Sequence, residues 1–259
     1  MRSKSKRSPS FYVMIIALAG LLCVELVRNN IIDAMQHGDW VYEILSRAFG
    51  SIACLAIIYR FSSKRLLGVN FNIFSILLWL PCMLIAINNF PLIPFFSREA
   101  IIVAKSWEII MYALVCICVG MFEELAFRGC IFTLILQRRG KRVVDVFWSV
   151  VISSAIFGCI HLVNIFFNAN PLATLLQIGY SFLIGAMCSV ILIRTGSVWY
   201  CVILHAVYNF AGGLIPNCGA GIIWSVPEII LTAVVSVFVA VYVIYLLLTI
   251  KREHIDRIC

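Results

Sequence analysis

The fold is decided by 22 uncharged residues near the end of the chain, Ile229-Ile-Leu-Thr-Ala-Val-Val-Ser-Val-Phe-Val-Ala-Val-Tyr-Val-Ile-Tyr-Leu-Leu-Leu-Thr-Ile250. As an α-helix this run would be about 33 Å long, which is enough to cross a hydrocarbon layer of about 30 Å. A helix that is apolar on every side belongs inside protein or lipid. The run therefore predicts a membrane-spanning helix.

Seven further apolar runs precede this one. The eight runs cover residues 11–27, 40–60, 72–90, 105–126, 144–163, 172–193, 197–213 and 222–250. The composition agrees with them, because 63% of the residues are hydrophobic, 12% are charged and the mean hydropathy is +1.04, whereas about 25% of a soluble domain is charged. We expect an all-α integral membrane protein, a bundle of about eight transmembrane helices that forms one polytopic membrane domain over residues 1–259.

The basic residues predict the orientation of these helices. Eight spans with the N-terminus inside would give the cytoplasmic side Arg2, Lys4, Lys6, Arg7, Arg60, Lys64, Arg65, Arg138, Arg139, Lys141, Arg142, Arg194, Lys251, Arg252 and Arg257, and the opposite side Arg28, Arg98 and Lys105. Positive charge concentrates in cytoplasmic loops. We therefore expect both termini to be cytoplasmic, in a multi-pass protein of a bacterial plasma membrane.

The net charge of +8 and the eleven cysteines predict little beyond this topology. The basic residues are dispersed over short loops and tails, so we expect no nucleic-acid partner. Most of the cysteines lie within or beside apolar runs, where a thiol behaves as a small apolar side chain. We therefore expect no disulfide framework.

Two adjacent carboxylates and an arginine lie at membrane depth in the stretch Gly120-Met-Phe-Glu-Glu-Leu-Ala-Phe-Arg-Gly129. Ionisable side chains within a span are costly, and they are functional candidates for that reason. Glu124 and Arg128 are four residues apart and can form an ion pair on one helix face. Glu123 points about 100° away from Glu124, so it lacks such a helical partner.

Two later runs carry His161 and His205, and Asn209 follows His205 by one helical turn. If these side chains converge with Glu123, the pocket contains a base, a partner for that base and donors for an oxyanion. These are the groups that amide hydrolysis requires. Histidine and asparagine also hydrogen-bond between membrane helices without doing chemistry, so the spacing alone leaves both interpretations open.

Three stretches resemble, in order, the motifs of the CPBP family: Glu123-Glu-Leu-Ala-Phe-Arg-Gly129, Phe157-Gly-Cys-Ile-His161 and His205-Ala-Val-Tyr-Asn209. That family contains the type II CAAX prenyl proteases and bacterial bacteriocin-processing and immunity proteins. The ordered triple is specific, whereas one motif alone would be weak. The resemblance covers a motif-bearing core of about residues 105–213.

The resemblance implies an intramembrane glutamate-type peptidase. Glu123 would be the general base that activates water, with assistance from His161. His205 and Asn209 would stabilise the tetrahedral oxyanion.

The resemblance also implies residues that support the site. The Glu124 and Arg128 pair would have this supporting role, and Phe127 and Phe157 would be packing residues.

The resemblance further implies a metal-independent enzyme, so we expect no cofactor. Zinc is the alternative. Glu123, His161 and His205 would supply a ligand set with an open fourth position, although the sequence has no His-Glu-x-x-His motif.

We therefore expect an endopeptidase with a cavity open towards the cytoplasm. It would hydrolyse a peptide bond in a small protein or peptide, such as a prenylated tail, a bacteriocin leader or a pheromone precursor. The lipid bilayer and this peptide are the expected partners, and the oligomeric state is left open. The alternative is a non-enzymatic membrane immunity or transport factor that binds peptide in the same polar cavity.

The expected depths of these residues in the membrane disagree. Counted from the nearest basic cluster, Glu123 is fifteen residues away, His161 nineteen and His205 eleven, a difference of up to about 12 Å along a helix. Convergence requires tilted helices, or a path along the membrane interface for residues 138–148.

Overall fold

The computed structural model describes residues 19–20, 40–69, 71–140, 142–166 and 171–258. Apart from residues 19 and 20, the first predicted run, 11–27, lies outside the described residues.

The described chain is mainly helical. Its helices are α1 (Trp40–Phe61), α2 (Ile73–Asn88), α3 (Leu92–Phe96), α4 (Ser106–Glu124), α5 (Thr133–Arg139), α6 (Val143–Ile160), α7 (Pro171–Thr195), α8 (Trp199–Cys218), α9 (Val226–Leu248) and α10 (Arg252–Asp256). A π-helical segment, Leu125–Phe132, connects α4 to α5. Short 3₁₀ helices cover Lys64–Leu67 and His161–Phe166.

Within the described residues, six helices are long and apolar enough to cross a membrane, and each overlaps a predicted run. One of them extends from Ser106 to Arg139, well past the predicted end of the fourth run at residue 126. The third predicted run forms α2, whose 16 residues span only about 24 Å. An all-α, multi-pass membrane architecture therefore fits the chain. The total of eight spans and the cytoplasmic termini remain predictions.

The end of α8 lies beyond the end expected from the sequence. The seventh run was expected to end at residue 213, but α8 continues through Pro216 to Cys218. A proline in the last turn removes only one backbone hydrogen bond. The Asn217 side-chain amide donates to the Gly213 carbonyl at 2.8 Å, which is an additional hydrogen bond in this last turn.

A two-stranded antiparallel sheet joins the start of α4 to the end of α8. Strand β1 (Ala100–Ile102) pairs with β2 (Gly219–Gly221), and Ala100 lies opposite Gly221. Gly221 has a φ of 115°, and a Cβ there would overlap the Glu99 carbonyl oxygen. Glycine is therefore required where the two strands approach each other.

The bundle contains two closely packed helix pairs, α4 with α8 and α6 with α7. A Cβ on Gly120 of α4 would lie 3.0 Å from the Ala206 backbone nitrogen of α8. A Cβ on Gly158 of α6 would lie 2.9 Å from the Ile178 carbonyl oxygen of α7. Small residues let each pair approach closely, as is usual between membrane helices.

The helices begin and end at different levels. Ser62 Oγ lies 3.2 Å from Thr133 Oγ1, and Leu66 in the same connection accepts a hydrogen bond from the backbone N–H of Val198 at 3.0 Å. Thr133 and the start of α8 therefore lie beside the same connection, the one between α1 and α2. From Thr133, α5 continues past this connection to Arg139.

This arrangement removes the disagreement in expected depth. The basic residues at the end of α5 lie farther along the bundle axis than the start of α8, so they do not mark a common plane. The alternative, a path of residues 138–148 along the interface, stays a prediction; residues from Val143 onwards already belong to α6.

Candidate active site

The two adjacent carboxylates lie at the last two positions of α4, immediately before the π-helical segment. A π turn shifts the backbone hydrogen bonds and is frequent at functional sites. Where the segment returns to an α-helix, the Thr133 hydroxyl donates to the Gly129 carbonyl at 2.6 Å and contacts the Cys130 carbonyl at 3.1 Å. The Ser62 hydroxyl also donates to the Gly129 carbonyl, at 3.4 Å. These hydroxyls satisfy carbonyl groups at the end of the π segment.

Glu124 is fully buried and contacts two different side chains through one oxygen. Its Oε1 lies 2.9 Å from Arg128 Nη1, so the ion pair expected from the spacing is present. The same oxygen lies 2.6 Å from His205 Nδ1, within hydrogen-bond distance. Glu124 therefore connects α8 to the π-helical segment.

Arg128 is held among apolar and aromatic groups. Its guanidinium carbon lies 4.4 Å from the centre of the Phe157 ring, a cation–π contact in a desolvated place. Phe157 in turn contacts Phe127 edge-on, with ring centres 4.6 Å apart. Both phenylalanines are buried, as expected of packing residues.

Glu123 differs from its neighbour in exposure and in contacts. Its side chain is 15% exposed, whereas that of Glu124 is 0% exposed. Glu123 Oε2 lies 3.6 Å from His205 Nε2. His205 therefore faces one carboxylate with each of its two ring nitrogens.

A cavity of about 190 Å³ lies beside Glu123. Its lining contains all four residues that the sequence singled out for chemistry: Glu123, His161, His205 and Asn209. They come from α4, the end of α6 and α8, so the expected convergence of the side chains is present. At about 30 Å³ per water molecule, the cavity has room for about six waters or for a short extended piece of peptide.

Polar residues that the sequence analysis did not single out also line the cavity: Gln177, Tyr180, Ser181 and Tyr208. The first three lie on one face of α7 at helical spacing, and this polar stripe in an apolar run could have been recognised. The rings of Tyr180 and Tyr208 lie side by side in the cavity wall, tilted by 49°, with centres 6.0 Å apart.

Hydrogen bonds brace α8 where it borders the cavity. The Tyr112 hydroxyl donates to the Asn209 carbonyl at 3.1 Å. The Asn89 side-chain amide donates to the Tyr208 carbonyl at 2.9 Å. These contacts fix the backbone from which Asn209 and Tyr208 extend.

The cavity lies in the half of the bundle that holds the connection between α6 and α7. His161 follows the last residue of α6, and Asn164 in this connection donates to Gln177 of the cavity wall at 3.0 Å. The basic residues Arg139 and Arg194 lie at the opposite helix ends. With an N-in, C-in orientation, the cavity would therefore lie in the half of the bundle away from the cytoplasm.

A metal ion needs several ligand atoms close together. Among the described residues, such a group is formed by Glu124, Cys188 and Cys201, whose possible ligand atoms lie within 4.8 Å of one another. It is not the set of Glu123, His161 and His205 considered for zinc. The carboxylate of this buried group already neutralises Arg128, and a guanidinium group at 2.9 Å opposes a further cation.

Comparison with known proteins identifies a family for the region that holds this cavity. Residues 105–211 match the family model described as type II CAAX prenyl endopeptidase Rce1-like. Neither the curated proteins nor the solved structures give a match to the chain.

Proposed function

We propose that this chain is a glutamate-type endopeptidase of the CPBP family of intramembrane peptidases. The proposal starts from the match of residues 105–211 to the type II CAAX prenyl endopeptidases. The observation that carries the proposal is the convergence of Glu123, His161, His205 and Asn209 on one cavity. Its expected setting is a bacterial plasma membrane, with the bilayer and a peptide or small protein as partners.

Glu123 is the proposed general base. It is the less buried of the two adjacent carboxylates, and it lines the cavity. His161 and His205 line the same space. In this assignment Glu123 takes a proton from water while the water oxygen attacks the peptide carbonyl, and His161 helps to orient that water.

The proposed oxyanion donors are the side chains of His205 and Asn209. They lie one turn apart on α8, and both line the cavity. Donors that are already in place when the carbonyl oxygen becomes negative lower the barrier more than donors that must reorganise. The hydrogen bonds that brace α8 at Tyr208 and Asn209 hold these donors in position.

The dimensions of the cavity suit a local stretch of extended peptide. A volume of about 190 Å³ is below the range of about 300–1,000 Å³ that is typical of pockets for drug-sized ligands. A helical or folded segment must unwind before its peptide bond reaches Glu123. Prenylated tails, bacteriocin leaders and pheromone precursors all present such segments.

The assignment needs no metal ion, since a carboxylate base and neutral or cationic donors suffice for the steps described. We expect activity to persist after treatment with a chelator. Loss of activity on chelation, with recovery on addition of zinc, would favour the alternative ligand set of Glu123, His161 and His205.

A single substitution tests the proposal. Glu123→Gln keeps the size of the side chain and removes the base, so we expect normal membrane insertion and at least a hundredfold loss of cleavage, in line with general-base catalysis. Glu228→Gln is the matched control, because Glu228 is also a buried carboxylate but is not among the residues that line the cavity.

The readout is a comparison of cellular peptides in strains that carry the wild type, Glu123→Gln or Glu228→Gln. One uncleaved precursor should accumulate with Glu123→Gln and not with the control. Equal peptide patterns in the wild type and Glu123→Gln would contradict the assignment.

A further inference from the structure

Two polar side chains of α7 line the cavity without taking part in the proposed chemistry. They are Gln177 and Ser181, and they lie one helical turn apart in a helix whose residues are mostly apolar. Within the described part of the chain, the Gln177 Nε2 group and the Ser181 hydroxyl make no hydrogen bond to protein. Polar groups inside a membrane span need partners. These two groups are therefore available to whatever enters the cavity.

A contact with the connection between α6 and α7 orients the first of these side chains. The Asn164 side-chain amide donates to Gln177 Oε1 at 3.0 Å, which occupies the oxygen end of the Gln177 amide. Its Nε2 group is the end that remains for a ligand, and it can donate two hydrogen bonds. The Ser181 hydroxyl can both donate and accept. A peptide backbone suits both side chains, because most of its residues offer a carbonyl oxygen and an N–H group.

The spacing of Gln177 and Ser181 matches the repeat of an extended peptide. Residues four apart on an α-helix lie on one face, about 6 Å apart along its axis. In an extended strand, backbone groups that point to the same side recur at every second residue, about 6.6 Å apart. The two side chains can therefore hydrogen-bond alternate residues of one strand that lies along α7.

The contact between Tyr180 and Tyr208 relates this strand to the proposed catalytic residues. Helices α7 and α8 are connected by residues 196–198 alone, so they run in opposite directions. Since the Tyr180 and Tyr208 rings are 6.0 Å apart, Ser181 lies at a level of α8 between the two proposed oxyanion donors. Gln177 lies one turn nearer to the connection between α6 and α7. A peptide bond beside Ser181 would be the one attacked, and Gln177 would bind the strand two residues away.

The remaining lining favours recognition of the main chain over recognition of particular side chains. Among the lining residues, Glu123, His161 and His205 are the groups that ionise near or below neutral pH, and all three have proposed roles in the chemistry. The other lining residues are neutral there, and they include Val119 and Ile184. The described lining therefore leaves no charged group to select a charged substrate side chain.

We infer that Gln177 and Ser181 are substrate-binding residues that hydrogen-bond the main chain of an extended peptide and align its scissile bond with α8. Hydrogen bonds to the main chain give affinity with little dependence on sequence. The ligand class is therefore an extended, uncharged peptide segment rather than one defined motif. The inference rests on the part of the proposed function that places a peptide in this cavity, and it holds whether or not that peptide is cleaved.

Photo-labelling with defined peptides tests the inference without requiring turnover. The purified protein carries Glu123→Gln, so that a bound peptide is not consumed. Both probes are short acetylated and amidated peptides with a central photoreactive leucine, and their other residues are alanine and valine in one probe and serine and threonine in the second. We expect each probe to label α7 and α8 in a saturable way, with the labelled residues located by mass spectrometry.

Removal of both polar groups should weaken the binding of both probes. The double variant Gln177→Met with Ser181→Ala should raise the half-saturating concentration of each probe by about fivefold or more, because it removes two neutral hydrogen bonds. Gly179→Ala on the same helix is the matched control, since a Cβ there would meet nothing within 4 Å, and it should leave both concentrations unchanged. Each single variant should show part of the loss, and thermal unfolding checks that the variants fold as the parent protein does.

Three results would overturn the inference: unchanged half-saturating concentrations in the double variant, a loss confined to one probe, or no label on α7 and α8. Saturable labelling that depends on both residues, in a wild-type protein that cleaves no cellular peptide, would uphold the inference and contradict the proposed function. Cleavage by the wild type with a KM that the double variant shares would support the proposed function and overturn the inference.

Discussion

At the scale of single residues, Glu124 shows what spacing can and cannot predict. Its pairing with Arg128 follows from a separation of four residues on one helix, and the structure confirms it. Its contact with His205 joins positions 81 residues apart, and no local pattern encodes a contact between separate helices. The sequence therefore suggested a self-contained ion pair, whereas this carboxylate also orients a proposed catalytic side chain.

The pair makes a prediction for stability. Arg128→Met should lower the free energy of unfolding by about 3–5 kcal/mol, because it leaves a buried carboxylate without its cation. The double variant Glu124→Gln with Arg128→Met should recover most of this loss, since neither remaining group is charged. The measurement is chemical unfolding in detergent micelles, and losses that simply add in the double variant would contradict the pairing energy.

At the scale of elements, hydropathy predicted the long helices but not the features that shape the site. The apolar runs indicate α4, α6, α7, α8 and α9 to within a few residues at most ends. The π-helical segment depends on contacts such as that between Ser62 and Gly129, which are tertiary. The three-residue strands are too short to show an alternating pattern. The motif resemblance, rather than spacing, predicted which polar residues converge.

Two glycines of α7 provide a matched test of packing at the element scale. A Cβ on Gly185 would lie 3.1 Å from Arg128 Nη2 and 3.2 Å from Ser154 Cβ, whereas a Cβ on Gly179 would meet nothing within 4 Å. Gly185→Ala should cost about 1–3 kcal/mol through overpacking and should reduce cleavage by displacing Arg128. Gly179→Ala should be neutral or stabilising by up to about 1 kcal/mol.

Thermal unfolding and cleavage by the two glycine variants check this prediction together. Equal behaviour of the two alanine variants would show that α7 does not hold Arg128 in place.

At the scale of the whole molecule, orientation decides from which side a peptide reaches the cavity. The charge distribution predicts a cytoplasmic C-terminus, and the cavity lies towards the helix ends that are far from the basic loops. A green fluorescent protein fused after residue 259 should therefore fluoresce in a bacterial host, and an alkaline phosphatase fusion should be inactive. An active phosphatase fusion would reverse the orientation and place the cavity on the cytoplasmic side.

The central claim is that Glu123 makes water attack a peptide bond inside this bundle. The most direct measurement uses purified wild type and Glu123→Gln in ¹⁸O-labelled water, with the peptide that accumulates in Glu123→Gln cells as substrate. Mass spectrometry should find one ¹⁸O atom in the new C-terminal carboxylate with the wild type, before and after chelation, and no cleavage with Glu123→Gln. Cleavage by Glu123→Gln at the wild-type rate, or a new C-terminus without ¹⁸O, would contradict the claim.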